Sequence, residues 1–335
     1  MINKVPDNGL PLVSVIIPNY NHAAYLEKRI TSVLNQTFTD FEVILMDDCS
    51  TDDSRAIIEK YRDHPNVKKI IYNEQNSGSV FRQWKRGVGE AAGKYIWLAE
   101  SDDWCEPTLL QHLVAGLEEN DQCAVAYCQS YTMKEDNLIL WQSHYPLLAD
   151  YMEGRKYIHE YLVFRCGIFN ASMAVWRKEL FSKVDEGYLN FRMSGDWYFW
   201  IELCKQGDVF ITGRTLNYFR NHSGDVSSNV YKTGLNFREA TRVLIKMRKD
   251  GIISQQMFGK AFRHKHREYW NARKKLDQQL LQEIESDFYN EEATHISRAT
   301  LRRDAWWKTT RIKVQCFFTG ADLKARLPYS GAEWR

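Results

Sequence analysis

Glu100, Asp102 and Asp103 bring three carboxylates into four positions, directly after the apolar run "KYIWLAE" (94–100). Like charges this close raise one another's pKa, and a divalent cation reverses that logic by binding the carboxylates together with an anionic substrate. Oxygen ligands that leave several positions open suit Mg2+ or Mn2+ bridging to phosphates. Taken alone, an acidic pair in a loop is more often a solvated turn or a helix cap. Two further polar strand ends stand beside it: Asn19 to Asn21 after "LVSVIIPNY", and Asp47 with Asp48 after "FEVILMDD". A fourth carboxylate, Asp196, opens "SGDWYFWIELCKQG". There an acid favours the helix dipole, and the same dipole keeps it ionised and ready to accept a proton.

The elements that must position these residues are legible as short β-branched runs at 12–20, 41–48, 67–73 and 94–100, separated by segments of helical period. "AAYLEKRITSVLNQ" repeats its apolar positions at Leu26, Ile30, Val33 and Leu34, and "STDDSRAIIEKYRD" opens with Ser50 as candidate N-cap. Strands alternating with helices imply right-handed βαβ crossovers and a three-layer α/β domain with a mainly parallel sheet. Ligands of such sheets bind beyond the carboxyl ends of the strands, which is where the acidic residues fall. Asp103 is therefore expected at a solvent-facing strand end. Trp197, Trp200, Ile201 and Cys204 repeat at i, i+3, i+4 and i+7, the pattern of an amphipathic helix whose tryptophans pack in the core.

The chain has 335 residues, enough for one large domain with an appendage. Its net charge of +2 hides an asymmetry: residues 241–335 carry 20 Lys/Arg and 11 Asp/Glu, leaving −7 for the rest. The expected division is 1–230 (a nucleotide half at about 11–105, an acceptor half at about 106–230) and a basic helical region at 231–335. The 7 scattered cysteines include no C-x-x-C pair, which argues for reduced thiols rather than a disulfide framework or structural zinc. No apolar h-region or 18-residue apolar run occurs, so the expected site of action is cytoplasmic. On that reading the sequon Asn170-Ala-Ser172 is chance. "RGVGEAAGKY" has the spacing G-x-G-x-x-x-G and precedes a strand, so it fails the dinucleotide fingerprint; no P-loop is present either.

"VSVIIPNYNHAAYLEKRITSVLNQTFTDFEVILMDDCSTDDS", "AAGKYIWLAESDDW" and "SGDWYFWIEL", in that order, resemble the inverting glycosyltransferases of family 2, of bacterial surface-polysaccharide type, over about residues 11 to 225. The resemblance implies a GT-A fold and a metal-dependent transfer of a sugar from a nucleotide-diphosphate sugar to an acceptor hydroxyl, with inversion. It places Pro18, Tyr20, Asn21, Asp47 and Asp48 on the nucleotide side. Asp102 and Asp103 fall in the metal-binding D-x-D region, where Glu100 replaces the first Asp; the resemblance makes Asp103 the stronger candidate for the metal, and Asp102 also lies on the donor side. Asp196 corresponds to the catalytic base. In "YFRNHSGDVSS", Arg220 is implied at the diphosphate and His222 at the metal, Mn2+ or Mg2+. The rival readings are a sugar-nucleotide-binding scaffold or inactive partner subunit, and a nucleotidyltransferase, which would want a glycine-rich loop where "PNYNHAAYLEK" has none.

The resemblance does not extend to the C-terminal hundred residues. In "RATLRRDAWWKTTRIKVQCFF" (298–318), Leu301, Ala305, Ile312 and Cys316 share one helical face, and Trp306, Trp307 and six basic residues are interleaved with them. The expected partners are a nucleotide-sugar donor and a glycan or lipid-linked acceptor, without nucleic acid. For this segment the alternatives are packing on the protein or peripheral contact with the inner face of a membrane.

Overall fold

Strands β1 (Val13–Asn19), β2 (Phe41–Asp47) and β4 (Tyr95–Leu98) are buried at every position. Successive side chains of a strand point to opposite faces, so both faces of this part of the sheet are covered. With β3 (Val67–Tyr72) at the edge these strands are parallel, in the order β3-β2-β1-β4. The computed structural model describes residues 9–134, 138–222, 233–276 and 278–319.

Beyond β4 the ten-stranded sheet becomes mixed, continuing β9-β6-β10-β5, with β7 on β6 and β8 on β10. Strand β9 (Ala174–Arg177) is antiparallel to both β4 and β6 (Cys123–Lys134), and β10 (Asp208–Asn221) runs parallel to β6. Two reversals restore the original direction, so β10 ends on the same edge as β1, β2 and β4. Strand β5 (Trp104–Cys105) pairs antiparallel with that end of β10, opposing Trp104 to Tyr218. Strands β7 (Ile139–Gln142) and β8 (Ala149–Met152) complete the set. Residues 135–137, and Ser223 to Ser228 of the Arg220–His222 stretch, lie outside the described residues.

Helix α1 (Ala23–Leu34) follows β1, α2 (Ser54–Glu59) follows β2 and α3 (Val80–Glu90) follows β3. Ser50 does not cap α2: Asp53 holds the N-cap position, and the Ser50 hydroxyl turns toward the β1 loop. Gly87 lets α3 lie directly on β1, since a Cβ there would meet Ile16 at 2.5 Å. After α4 (Leu109–Glu119) and the short α5 (Gly154–Tyr157) comes α6 (Gly195–Cys204). This helix is buried all round rather than amphipathic: every residue but Asp196 is buried, Trp197 and Trp200 included.

The described chain divides into two compact units, residues 9–158 with 168–221, and residues 159–167 with 222–319. The second is helical: α7 (Leu235–Lys249), α8 (Gln255–Ala272), α9 (Gln278–Phe288), α10 (Glu291–Thr294) and α11 (Arg298–Thr319). Phe237, Leu244, Phe258, Phe262, Ile284 and Leu301 form its buried core. The 7 cysteines are free thiols, five of them buried.

Candidate active site

The loops that follow β1 and β2 are tied to each other. Asn21 adopts φ 54° and Cys49 φ 63°, left-handed conformations that a non-glycine residue holds only when its surroundings impose them. The Asn21 amide donates to Ser50 Oγ at 2.9 Å, and the Thr51 amide donates to Asn21 Oδ1 at 2.7 Å. Asn19 donates to Asp47 Oδ1 at 3.2 Å, while Asp47 Oδ2 takes the Ser50 amide and pairs with Arg55 at 2.9 Å. Asp48 faces the third loop. Its Oδ1 accepts from Asn73 (2.6 Å), the Ser77 amide (2.9 Å) and Gln83 (2.9 Å), and its Oδ2 accepts from Ser77 Oγ (2.7 Å). Four donors match the acceptor capacity of one carboxylate. Both aspartates are buried, so their direct work is to hold the loops. Pro18 is buried within β1, whereas Tyr20 at the loop tip is 45% exposed.

The acidic loop after β4 separates its carboxylates by role. Asp103 is not solvent-facing as expected: it is 0% exposed, with Oδ2 accepting from Ser172 Oγ (2.7 Å) and Asn170 Nδ2 (2.8 Å) and Oδ1 from the Arg220 amide (2.9 Å). Arg29, equally buried, stands 3.6 Å from the same carboxylate and donates to the Glu100 carbonyl (2.8 Å) and Ser172 Oγ (2.9 Å). The overturning fact is a buried cation reaching across from α1, which makes a core carboxylate tolerable. Burial first and Asp102 second push the Asp103 carboxyl above its usual range, against the pull of Arg29. Glu100 accepts from the Trp84 indole at 2.8 Å; burial, with Asp102 adding to it, pushes this acid up to about 8. Asp102 is partly exposed, and its ligand oxygen and a ring nitrogen of His22 lie within 4.8 Å of each other. His22 Nδ1 is hydrogen-bonded to Ser101 Oγ at 2.8 Å, which orients the ring. One imidazole beside one carboxylate, on an edge open to solvent, fits Mn2+ better than Mg2+, which prefers oxygen ligands alone.

Arg220 is buried between aromatic rings, its guanidinium 4.6 Å from the Tyr25 ring centre and 4.5 Å from that of Trp104. Its Nε donates to the Asp102 carbonyl at 2.8 Å. Trp104 stacks on Tyr218 at 4.9 Å, and Lys28 lies 3.3 Å over the indole. Burial, then Arg220, lowers the Lys28 pKa. His222 is buried, follows β10 directly and opens the longer segment of the second unit.

Asp196 occupies the first turn of α6 and is the one residue of that helix not buried. Helix α3 ties α6 to the loops: Gln83 reaches Asp48, Trp84 reaches Glu100 and contacts Phe199, and Phe81 packs on Gly195. A Cβ at 195 would sit 2.4 Å from the Phe81 ring, so the glycine before Asp196 sets how closely the two helices approach.

Sequence reasoning missed His22, Arg29, Asn170, Ser172 and the tie through α3. Arg29 carried a signal, since it falls inside the apolar stripe Leu26, Ile30, Val33, where a charge implies a buried partner. Asn170 and Ser172 carried none, because their partner lies 67 or more positions away.

A parallel sheet whose linked loops carry carboxylates, completed by a mixed half that returns an arginine to the same edge, is a GT-A architecture. The family model for glycosyl transferase family 2 matches residues 14–184, half of the chain. The putative teichuronic acid biosynthesis glycosyltransferase TuaG of Bacillus subtilis is 27% identical over 73% of this chain and 98% of its own length. GalNAc(5)-diNAcBac-PP-undecaprenol beta-1,3-glucosyltransferase of Campylobacter jejuni is 27% identical over 72% of this chain and 77% of its own. Among solved structures, S. aureus TarS 1–349 in complex with UDP-GlcNAc superposes with a TM-score of 0.65 at 18% identity, covering 92% of each chain. The chain belongs to glycosyl transferase family 2 and is a glycosyltransferase.

Proposed function

We propose that this enzyme is an inverting, Mn2+-dependent glycosyltransferase that uses a UDP-sugar and acts in the assembly of a bacterial surface polysaccharide on a glycan or lipid-linked acceptor. The observation that carries the reading is the pairing of His22 with Asp102 at the ends of the adjacent parallel strands β1 and β4. The relatives support the rest: TarS is solved with UDP-GlcNAc, TuaG is named for teichuronic acid biosynthesis, and the Campylobacter enzyme is named for glucosyl transfer to an undecaprenol-diphosphate-linked glycan.

Tyr20 and Asn21 border the nucleotide, with Pro18 at the base of their loop. Asp47 and Asp48 act by holding the loops at 49–51 and 73–79 as its walls. His22 and Asp102 would hold the metal. Asp103 orients Asp102 and Arg220 instead of touching the ion. The metal supplies charge neutralisation for the leaving diphosphate. Arg220, fixed between two aromatic rings, supplies a preorganised positive charge on the same side. Asp196 takes the proton of the acceptor hydroxyl as its oxygen bonds to the anomeric carbon. The bond from that carbon to the phosphate oxygen breaks, its electron pair leaves with UDP, and one displacement inverts the centre. The enzyme works at the cytoplasmic face of the membrane.

The test supplies UDP-sugars singly with and without Mn2+ and follows UDP release and the anomeric configuration of the product. Mn2+-dependent release with inversion is the expected result. Pyrophosphate from a triphosphate would identify a nucleotidyltransferase, absence of turnover with donor still bound a scaffold, and a retained configuration would remove Asp196 as the base of a single displacement.

A further inference from the structure

Helix α11 has two faces of opposite character. Leu301, Ala305 and Cys316 are buried, and the helix is fastened to α8 by Arg267 to Asp304 (2.9 Å) and Thr309 to Asn271 (3.1 Å). On the other side Trp306 and Trp307 are 55% and 62% exposed, with ring centres 5.4 Å apart, and Val314 is 49% exposed. Arg303, Trp307 and Arg311 follow one another at intervals of four, and Lys313 and Val314 lie seven positions beyond the two tryptophans, so they share one surface. No carboxylate pairs with Arg303, Arg311 or Lys313 among the described residues, whereas Arg267 and Lys308 share Asp304 and Arg298 pairs with Glu285.

We propose that this outer face of α11 docks the enzyme on an anionic lipid bilayer. Two adjacent indoles, apolar in the ring and polar at the N–H, suit the headgroup layer better than a dry protein contact. Three cations that no carboxylate among the described residues pairs with match the negative potential of a phospholipid surface, where each basic residue adds favourable free energy. A second copy of the chain is the poorer occupant, because a two-fold contact would set the same cations against each other. The helix lies on the surface instead of crossing it: no helix among the described residues is long and apolar enough to span a membrane. The inference goes beyond the transfer reaction, since it concerns the second unit alone.

The test is sedimentation of the full chain with vesicles of equimolar phosphatidylglycerol and phosphatidylcholine, and with vesicles of phosphatidylcholine alone, at low and high salt. The wild type should bind the anionic vesicles at low salt and be released by high salt. Replacing Trp306→Ala with Trp307→Ala should lower the partition roughly tenfold or more. Charge reversal by Arg303→Glu, Arg311→Glu and Lys313→Glu should lower it roughly a hundredfold or more. All five side chains are exposed, so circular dichroism should show unchanged helicity. The proposal is overturned if the wild type ignores anionic vesicles at low salt, if both variants bind as it does, or if the tryptophan variant instead dissociates a dimer. Preference for a single-stranded nucleic acid over the vesicles would overturn it equally.

Discussion

The strand-end site of the first unit and helix α11 of the second treat their charges in opposite ways. In the first, Asp47, Asp48, Asp103, Arg29 and Arg220 are all turned inward, and each has neighbours that bear its charge. In the second, the cations of α11 are turned outward around exposed indoles. A buried ion is tolerable only when its partners are in place, so inward charges fix geometry. An outward charge costs almost nothing to carry and exerts its effect on whatever approaches. The first unit therefore places a reacting centre, and the second presents a surface.

The sharpest way to break this contrast is to set Asp103 against Asp102. Asp103→Ala should cost about 3–5 kcal/mol of stability, because it leaves Arg29 buried without its counter-charge, and should abolish transfer with it. Asp102→Ala, at a partly exposed position, should change stability by less than about 1 kcal/mol while removing the Mn2+ dependence of donor binding. Denaturant unfolding and donor titration read the two outcomes. Equal stability for both variants would refute the division of roles.

Asp196→Asn should lower transfer by about 10²–10⁴-fold while donor affinity and melting temperature stay near wild type, since the residue is the one partly exposed position on a buried helix. Transfer surviving within a few-fold would mean that another group takes the proton.

In the second unit, His266 is turned inward, as Glu239 and Glu268 are. It is 0% exposed, its Nε2 lies 3.2 Å from the Tyr289 hydroxyl, and burial lowers its pKa from 6.5 to about 4, with Asp304 opposing and Arg302, Arg273 and Arg267 reinforcing the shift. A group with a depressed folded pKa takes up its proton more readily when unfolded, so its contribution is complete above about pH 6.5 and is lost as pH falls toward about 4. The loss should reach at most about 3 kcal/mol. Chemical denaturation of the full chain, followed by helical circular dichroism across that window, measures it, and His266→Phe should flatten the slope. Gly195→Ala completes the series. Its Cβ would press on Phe81, costing about 1–3 kcal/mol and displacing Asp196, so activity should fall further than stability. A variant that keeps full activity would show that the close approach of α3 and α6 is dispensable.

Much of this was legible in the linear chain. Strands at 12–20, 41–48 and 94–100 were within two residues of β1, β2 and β4, because both local patterns that decide them, continuous apolar runs and polar breaks, are written in neighbouring residues. The acidic strand ends followed from the same reading. Helix α6 shows where a local pattern misleads: its spacing reads as a stripe, while the surroundings bury the remaining side as well.

What only the tertiary structure decided is which carboxylate faces a ligand and which faces the core. Asp102 and Asp103 are adjacent and chemically identical, so nothing local separates them. Their difference is made by Arg29 from α1, Asn170 and Ser172 from the segment before β9, and the Arg220 amide from β10, brought to one strand end by the order of the sheet. Residue types determined that charges would gather at the carboxyl ends of the strands. The sheet decided which of them were neutralised by protein and which were left facing the edge, because the cost of burying a charge depends on partners distant in sequence.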